Sequence, residues 1–122
     1  MFASYNRVDI ALDPFPYSGG VTSFEAIWMG TPVLTKRGFN FSSHTTESIN
    51  HNCGMSDWIA DNENDYVKKA ITFSTNLERL SEINKNLRQI ALESPLFNSS
   101  LFAKHLNSAL WKMWKNFISK KK

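Results

Sequence analysis

Apolar residues fall along this chain in two rhythms, and the first is the short alternation Val8, Ile10, Leu12, broken at once by Asp13-Pro14-Phe15-Pro16. Period-two alternation predicts a strand over residues 8–12, and the prolines end it because proline cannot donate to a ladder. Tyr17-Ser18-Gly19-Gly20 predicts a glycine turn. From 21 to 29 the period lengthens, with Val21, Phe24, Ile27 and Trp28 on one face of a helix that Gly30-Thr31-Pro32 stops. Val33, Leu34 and Thr35 make a minimal second strand. The order strand, glycine loop, helix, strand predicts an α/β unit. Its parallel strands are joined by a right-handed crossover, which puts the glycine loop at the carboxyl edge of the sheet.

Downstream, residues 36–43 read as a loop and 45–52 as a short helix closed by Gly54. Residues 56–60 predict a short strand or turn, and the acidic run 61–65 a helix start. Tyr66, Val67, Ala70, Ile71 and Phe73 are expected on one side of a helix over 66–74. Leu77, Leu80, Ile83, Leu87 and Ile90 recur every three or four residues, the pattern of an amphipathic helix, until Ser94-Pro95 breaks it. A last helix over 98–119 carries two apolar stripes. Phe102, Leu106, Ala109, Met113 and Phe117 form one, and Trp111, Trp114 and Ile118 the other. A helix apolar on two sides needs two surfaces to pack against, and the chain is expected to supply one. The organisation expected is an α/β portion over 1–97 followed by a C-terminal helix over 98–122.

Composition narrows this picture. The chain has 122 residues, 42% of them hydrophobic, which suits one domain and excludes a disordered or fibrous polypeptide. No apolar run approaches the ~20 residues of a membrane span. The amino end has no apolar signal-like segment, so a cytoplasmic location is expected. Lone Cys53 rules out an internal disulfide framework, and with His44, His51 and His105 scattered along the chain no metal site is expected. The net charge of +3 is unevenly spread: residues 1–93 balance to −3, while 94–122 hold six lysines (Lys104, Lys112, Lys115, Lys120, Lys121, Lys122) and no carboxylate side chain. A solvated helix end complementing its dipole explains that tail better than a nucleic-acid or membrane surface does.

Chemistry is expected at Pro16-Tyr17-Ser18-Gly19-Gly20-Val21-Thr22-Ser23-Phe24-Glu25. A helix amino end offers unpaired N–H groups and a partial positive charge, and glycines before it let a phosphate approach the backbone. Gly19, Gly20, Thr22 and Ser23 are thus candidate contacts for a diphosphate. Glu25, one turn inside, could accept from ribose hydroxyls. Thr22-x-x-Glu25 also fits a capping box that needs no ligand. Cys53 reads as a small helix-end residue, and Asp13 before Pro14 as a turn initiator.

Three blocks carry a family resemblance. Tyr5-Asn6-Arg7-Val8-Asp9-Ile10-Ala11-Leu12-Asp13-Pro14-Phe15-Pro16-Tyr17-Ser18-Gly19-Gly20 is the first, and Glu25-Ala26-Ile27-Trp28-Met29-Gly30-Thr31-Pro32-Val33-Leu34-Thr35 the second. Ser94-Pro95-Leu96-Phe97 with Leu110-Trp111-Lys112-Met113-Trp114 closes the set. Together they resemble the C-terminal region of the O-GlcNAc transferase family, including its bacterial SPINDLY-like members. The resemblance implies part of the C-terminal Rossmann-like domain of a type-B glycosyltransferase, which inverts configuration while moving a sugar from a UDP-sugar such as UDP-GlcNAc to protein Ser/Thr. No metal or other cofactor is implied, and tetratricopeptide repeats often precede the catalytic domains. It assigns the diphosphate to the segment from Gly19 to Ser23 and the ribose to Glu25. Where the family carries a Thr-rich or His-Thr-Thr loop this chain has Gly20-Val21-Thr22, which shifts more of the phosphate contact to backbone amides.

The same resemblance puts the uracil-contacting segment, the lysine that neutralises the leaving diphosphate and the other Rossmann-like domain outside these residues. No catalytic residue is therefore expected here, and the isolated chain is expected to be inactive. The partners expected are the UDP-sugar, an acceptor protein, the missing N-terminal catalytic domain and, through the C-terminal helix, a second copy. The competing reading is a non-catalytic interaction module whose basic helix contacts protein or nucleic acid.

Overall fold

Backbone pairing begins where Ala11 donates to the carbonyl of Pro32 at 2.9 Å and Asp13 to that of Leu34 at 2.9 Å, which joins β1 (Ala11–Leu12) to β2 (Val33–Lys36) in parallel. These coordinates are a computed structural model that describes residues 2–120; Met1 and the basic-tail residues Lys121 and Lys122 lie outside the described residues. Strand β1 is shorter than the expected 8–12. Its neighbour cannot extend the ladder upstream, because Pro32 has a carbonyl to offer but no N–H. The preceding residues Phe2–Arg7 wind into a 3-10 helix instead, and Val8 is exposed.

Between the strands, α1 (Val21–Trp28) provides the crossover, and Gly30 ends it with φ +83°. A Cβ there would sit 2.5 Å from the backbone carbonyl oxygen of Asn84, so the close approach to a later helix needs glycine as much as the turn does. Helix α2 (Thr45–Asn52) follows, with Gly54 just beyond its end. Residues Ser56–Trp58 form a 3-10 turn into β3 (Ile59–Ala60), which pairs in parallel with β2 through Thr35 opposite Ile59 and Lys36 opposite Ala60. The order among the described residues is β1-β2-β3. Central β2 is buried on both faces, so Val33, Leu34 and Thr35 read as an unbroken apolar run with one hydroxyl.

Asn62 caps α3 (Glu63–Thr75) by accepting from the Asp65 amide, and Asn76 caps α4 (Leu77–Glu93) by accepting from that of Arg79. On α3 the expected apolar side divides: Tyr66, Ala70 and Phe73 pack on the core, with Phe73 4.4 Å from the Trp58 ring, while Val67 and Ile71 are exposed. On α4 the buried seam is Leu80, Leu87 and Ala91 with Ile83 beside it, and the expected members Leu77 and Ile90 face outward. Ile27, Leu34, Ile49, Trp58 and Leu87 anchor the core where α1, α2 and α4 meet the sheet.

After the Pro95–Phe97 turn, Asn98 caps α5 (Ser99–Ser119) by accepting from the Leu101 amide. Among its described residues none is buried. The expectation that the chain would cover one of the two stripes is therefore corrected: Phe102 and Leu106 on one, and Trp111, Trp114 and Ile118 on the other, are all exposed.

Candidate functional site

The glycine loop is pinned at its base by Asp13, which is 4% exposed. One carboxylate oxygen accepts from the Gly19 amide at 2.7 Å, and the other accepts from the Thr35 hydroxyl at 2.6 Å. Tyr66 donates its hydroxyl to the Asp13 carbonyl at 2.9 Å, and burial raises the Tyr66 pKa, with the nearby Asp13 charge adding to it. Farther along the loop, Ser18 donates to the Ser42 carbonyl at 2.8 Å. The Gly19 carbonyl accepts from the Thr46 hydroxyl at 3.0 Å, and Thr46 lies 2.9 Å from the hydroxyl of Ser23. Gly19 has no room for a side chain, since a Cβ would meet Ser23 Oγ at 2.5 Å and Thr22 Oγ1 at 2.9 Å.

Helix α1 starts at Gly20, whose carbonyl takes the amides of Ser23 at 3.1 Å and Phe24 at 3.2 Å. No side chain caps it. The capping box expected from Thr22 and Glu25 is absent, because the helix begins two residues before a Thr22 cap would require and Thr22 is already inside the first turn. The amides of Gly20, Val21 and Thr22 consequently find no partner among the described residues. Beside them lies a cleft of about 150 Å³ whose walls include Tyr5, Leu12, Asp13, Thr22, Ser23 and Val33. Glu25 is half-buried one turn on, and its Oε2 is buried without a hydrogen-bond partner.

The structure thus brings Gly19, Gly20, Thr22 and Ser23 to one helix start and sets Glu25 behind them. Ser23 differs from expectation in being buried, with its hydroxyl turned to Thr46 rather than outward. Sequence reasoning missed Asp13 as the loop's anchor, although a carboxylate immediately before a proline-rich loop was a usable signal. Thr46 carried none, since 27 positions separate it from Gly19.

Pro14 also lines a second cleft, of about 200 Å³, on the other side of the loop with Phe15, Lys36, Arg37 and Phe39. Its cations are already paired. Lys36 lies 4.1 Å over the Phe15 ring and 3.3 Å from Glu63, and Arg37 bonds Glu47 at 2.9 Å and Asp61 at 3.0 Å. Burial alone would push the Glu47 carboxyl up, but hydrogen bonds from His44, at 2.6 Å, and from Arg37 outweigh it and hold Glu47 below the usual carboxylate range. Cys53 is buried at the end of α2, and burial pushes its thiol up to about 11, which leaves it protonated and unreactive at neutral pH. Among the described residues no three His, Cys, Asp or Glu side chains gather as a metal site. No helix there is long and apolar enough to cross a membrane.

Comparison with known proteins agrees with this architecture. The sequence model of glycosyl transferase family 41 matches residues 5–106. The chain belongs to that family. Among curated family 41 relatives, probable UDP-N-acetylglucosamine–peptide N-acetylglucosaminyltransferases of the SPINDLY type match over 114 residues, at 32% identity in Solanum lycopersicum and 33% in Arabidopsis thaliana. That alignment covers 93% of this chain and 12% of each relative. The Arabidopsis thaliana SEC enzyme of the same description is 27% identical over 107 residues, 87% of this chain and 11% of that protein. A mutant O-GlcNAc transferase from Thermobaculum terrenum superposes with a TM-score of 0.88 at 30% identity, covering 99% of this chain and 23% of that one. The family 41 chain described here therefore has the expected α/β fold, part of the type-B glycosyltransferase architecture, and spans about an eighth of the curated relatives' length.

Proposed function

We propose that this chain is the nucleotide-sugar-binding part of a family 41 glycosyltransferase that moves a sugar from a UDP donor, of the UDP-GlcNAc type, to serine or threonine of an acceptor protein. One observation carries the reading: three consecutive amides, those of Gly20, Val21 and Thr22, lack partners at the start of α1, where Thr22 borders a cleft whose largely apolar wall also holds Tyr5, Asp13 and Ser23. Unpaired amides at a helix amino end, with the dipole behind them, are an anion site, and a diphosphate has the charge and span to use several at once. The Thr22 hydroxyl adds a donor. Gly19 allows the close approach, and Ser23 supports the loop from beneath. Glu25 takes ribose hydroxyls, donors suited to a carboxylate, once its side chain turns its buried, unpartnered oxygen out toward the ligand. The amides and the dipole meet the diphosphate charge, so no metal is required.

None of these residues is placed as an acid, base or nucleophile. Inverting transfer needs donor, acceptor and leaving-group stabilisation within one cleft. The 1–97 portion supplies donor contacts, and α5 packs against the remainder of the catalytic unit, which lies outside this segment with any tetratricopeptide repeats. The isolated chain is inactive, and the whole enzyme works in the cytoplasm. A second reading, a non-catalytic module that docks through α5, is favoured by the exposed stripes of that helix.

Amide-resolved NMR during a UDP titration to millimolar concentration separates the two. The expected result is movement of the Gly19, Gly20, Thr22 and Ser23 signals. Movement confined to residues 112–120 would replace the donor-site reading with the module.

A further inference from the structure

We infer that Thr46 and Asp13 are positioning residues of the donor site, a buried clamp on Gly19 that turns the Gly20 amide outward toward the diphosphate. The inference rests on the donor-site reading above and adds how that site is shaped. Asp13 takes the Gly19 N–H at 2.7 Å, and Thr46 gives its hydroxyl hydrogen to the Gly19 carbonyl at 3.0 Å, so both polar groups of one residue are held from opposite directions. The Gly19 carbonyl and the Gly20 N–H belong to the same planar trans peptide and point opposite ways. Drawing the carbonyl toward α2 therefore sends the Gly20 N–H away from α2, and no rotation of the Gly20 side can undo this without breaking the Thr46 bond.

Thr46 has one hydroxyl hydrogen, and the carbonyl can only accept. The 2.9 Å contact with Ser23 must then have Ser23 as donor. Ser23, Thr46 and the Gly19 carbonyl form a relay in one direction, and Thr35 fixes the second oxygen of Asp13 at 2.6 Å in the same manner. Thr46 is fully buried and touches no ligand directly; Asp13 borders the cleft, but both its carboxylate oxygens are already taken, by the Gly19 amide and the Thr35 hydroxyl. Their effect on binding passes through the orientation of the loop amides. By this route α2, 27 residues downstream of Gly19, governs the anion-binding end of α1.

The test uses the isotope-labelled chain with UDP as probe and the variants Thr46→Val, Thr46→Ser and Ser23→Ala. Ile49→Val serves as a control that perturbs the buried face of α2 away from the loop. Without ligand, Thr46→Val removes the bond to the Gly19 carbonyl and leaves the Asp13 bond to its amide in place. The loosened loop should open that Asp13 bond more often, so that the Gly19 amide exchanges up to about tenfold faster, while Thr46→Ser and Ile49→Val stay near wild type. With UDP, Thr46→Val should weaken binding by about tenfold and shrink the Gly20 shift, and Thr46→Ser should restore both. If Thr46→Val does not fold, Ser23→Ala carries the test, with UDP binding weakened by about two- to fivefold through the loosened relay. Unchanged Gly19 exchange and unchanged affinity in Thr46→Val, an equal loss in Ile49→Val, or no effect of Ser23→Ala where it alone is measurable would overturn the clamp. Failure of the wild-type chain to take UDP would instead sink the donor-site reading, and the clamp would then stand or fall on Gly19 exchange.

Discussion

A carboxylate taken out of water is costly unless its oxygens are filled, and Asp13 fills both, with the Gly19 amide and the Thr35 hydroxyl. That single residue fixes one end of the glycine loop while Thr46 fixes the other, and Gly19 between them has no space for a methyl group. Gly20 is different: the nearest atom to an added Cβ is 3.9 Å away. Gly19→Ala should therefore destabilise by about 1–3 kcal/mol through overpacking, against roughly 1 kcal/mol or less for Gly20→Ala at a cap position. Urea denaturation of the two variants checks this, and equal losses would contradict the crowding at Gly19. The glycine pair itself was legible because a turn before a helix has a clear signature. The Thr46 bond was not, since a partner 27 residues away leaves no periodic trace, and the Asp13 bond had only the local signal of a carboxylate before a proline-rich loop. The supposed capping box shows the opposite error, a true local pattern overridden because Gly20 starts the helix two residues sooner.

At the scale of elements, strength lies where α1, α2 and α4 converge on β2. Leu87 on α4 is fully buried, whereas Leu77 at the start of the same helix is 70% exposed. Leu87→Ala should cost about 2–5 kcal/mol and Leu77→Ala less than about 0.5 kcal/mol, measured as shifts in the denaturation midpoint. The periodicity named both as seam residues; only packing against α1 distinguishes them. Helices 45–52 and 98–119 were readable almost to the residue because Gly54 marks the end of the first and Asn98, soon after the Ser94-Pro95 break, caps the start of the second. Strand β1 was overread because its length is set by Pro32, the residue just before the partner strand.

Helix α2 is also tied to the β2 end electrostatically, through Glu47 with Arg37 and His44. Folding holds the Glu47 carboxyl below its ordinary 4.5, so the folded state binds its proton less readily than the unfolded chain does. The stability this contributes is present above pH 4.5 and is lost as pH falls through the lower folded value. Glu47→Gln should accordingly flatten the acid limb of the stability profile below pH 4.5, with little change in its shape near neutrality. An acid limb identical to wild type would remove Glu47 from that account.

For the molecule as a whole, α5 is the feature that the rest of the fold does not explain. Trp58 is 1% exposed in the core, while Trp111 and Trp114 are 57% and 55% exposed on α5. An apolar face of that extent marks an interface, and the described lysines Lys104, Lys112, Lys115 and Lys120 on the same helix favour an acidic rim on whatever covers it. In the isolated chain, acrylamide should quench the α5 tryptophans and spare Trp58, and sedimentation should show self-association at high concentration. Replacing Trp111 and Trp114 by lysine should abolish the association while leaving stability within about 1 kcal/mol. A large loss of stability would mean that α5 is held to its own chain after all. The family and the α/β order were legible from the sequence across nearly the whole chain. The extent to which α5 stands uncovered was not, because two stripes announce a need for neighbours without saying where they are.

The central claim is that the start of α1 binds the diphosphate of a nucleotide. Calorimetric titration of the same chain with UDP and with uridine tests it most directly, since the two share base and ribose and differ in the group assigned to the Gly20, Val21 and Thr22 amides. UDP should bind at least about tenfold more tightly than uridine, and added salt should weaken it, as expected for charge-assisted contacts. Equal affinities, or no heat from UDP at millimolar concentration, would contradict the claim.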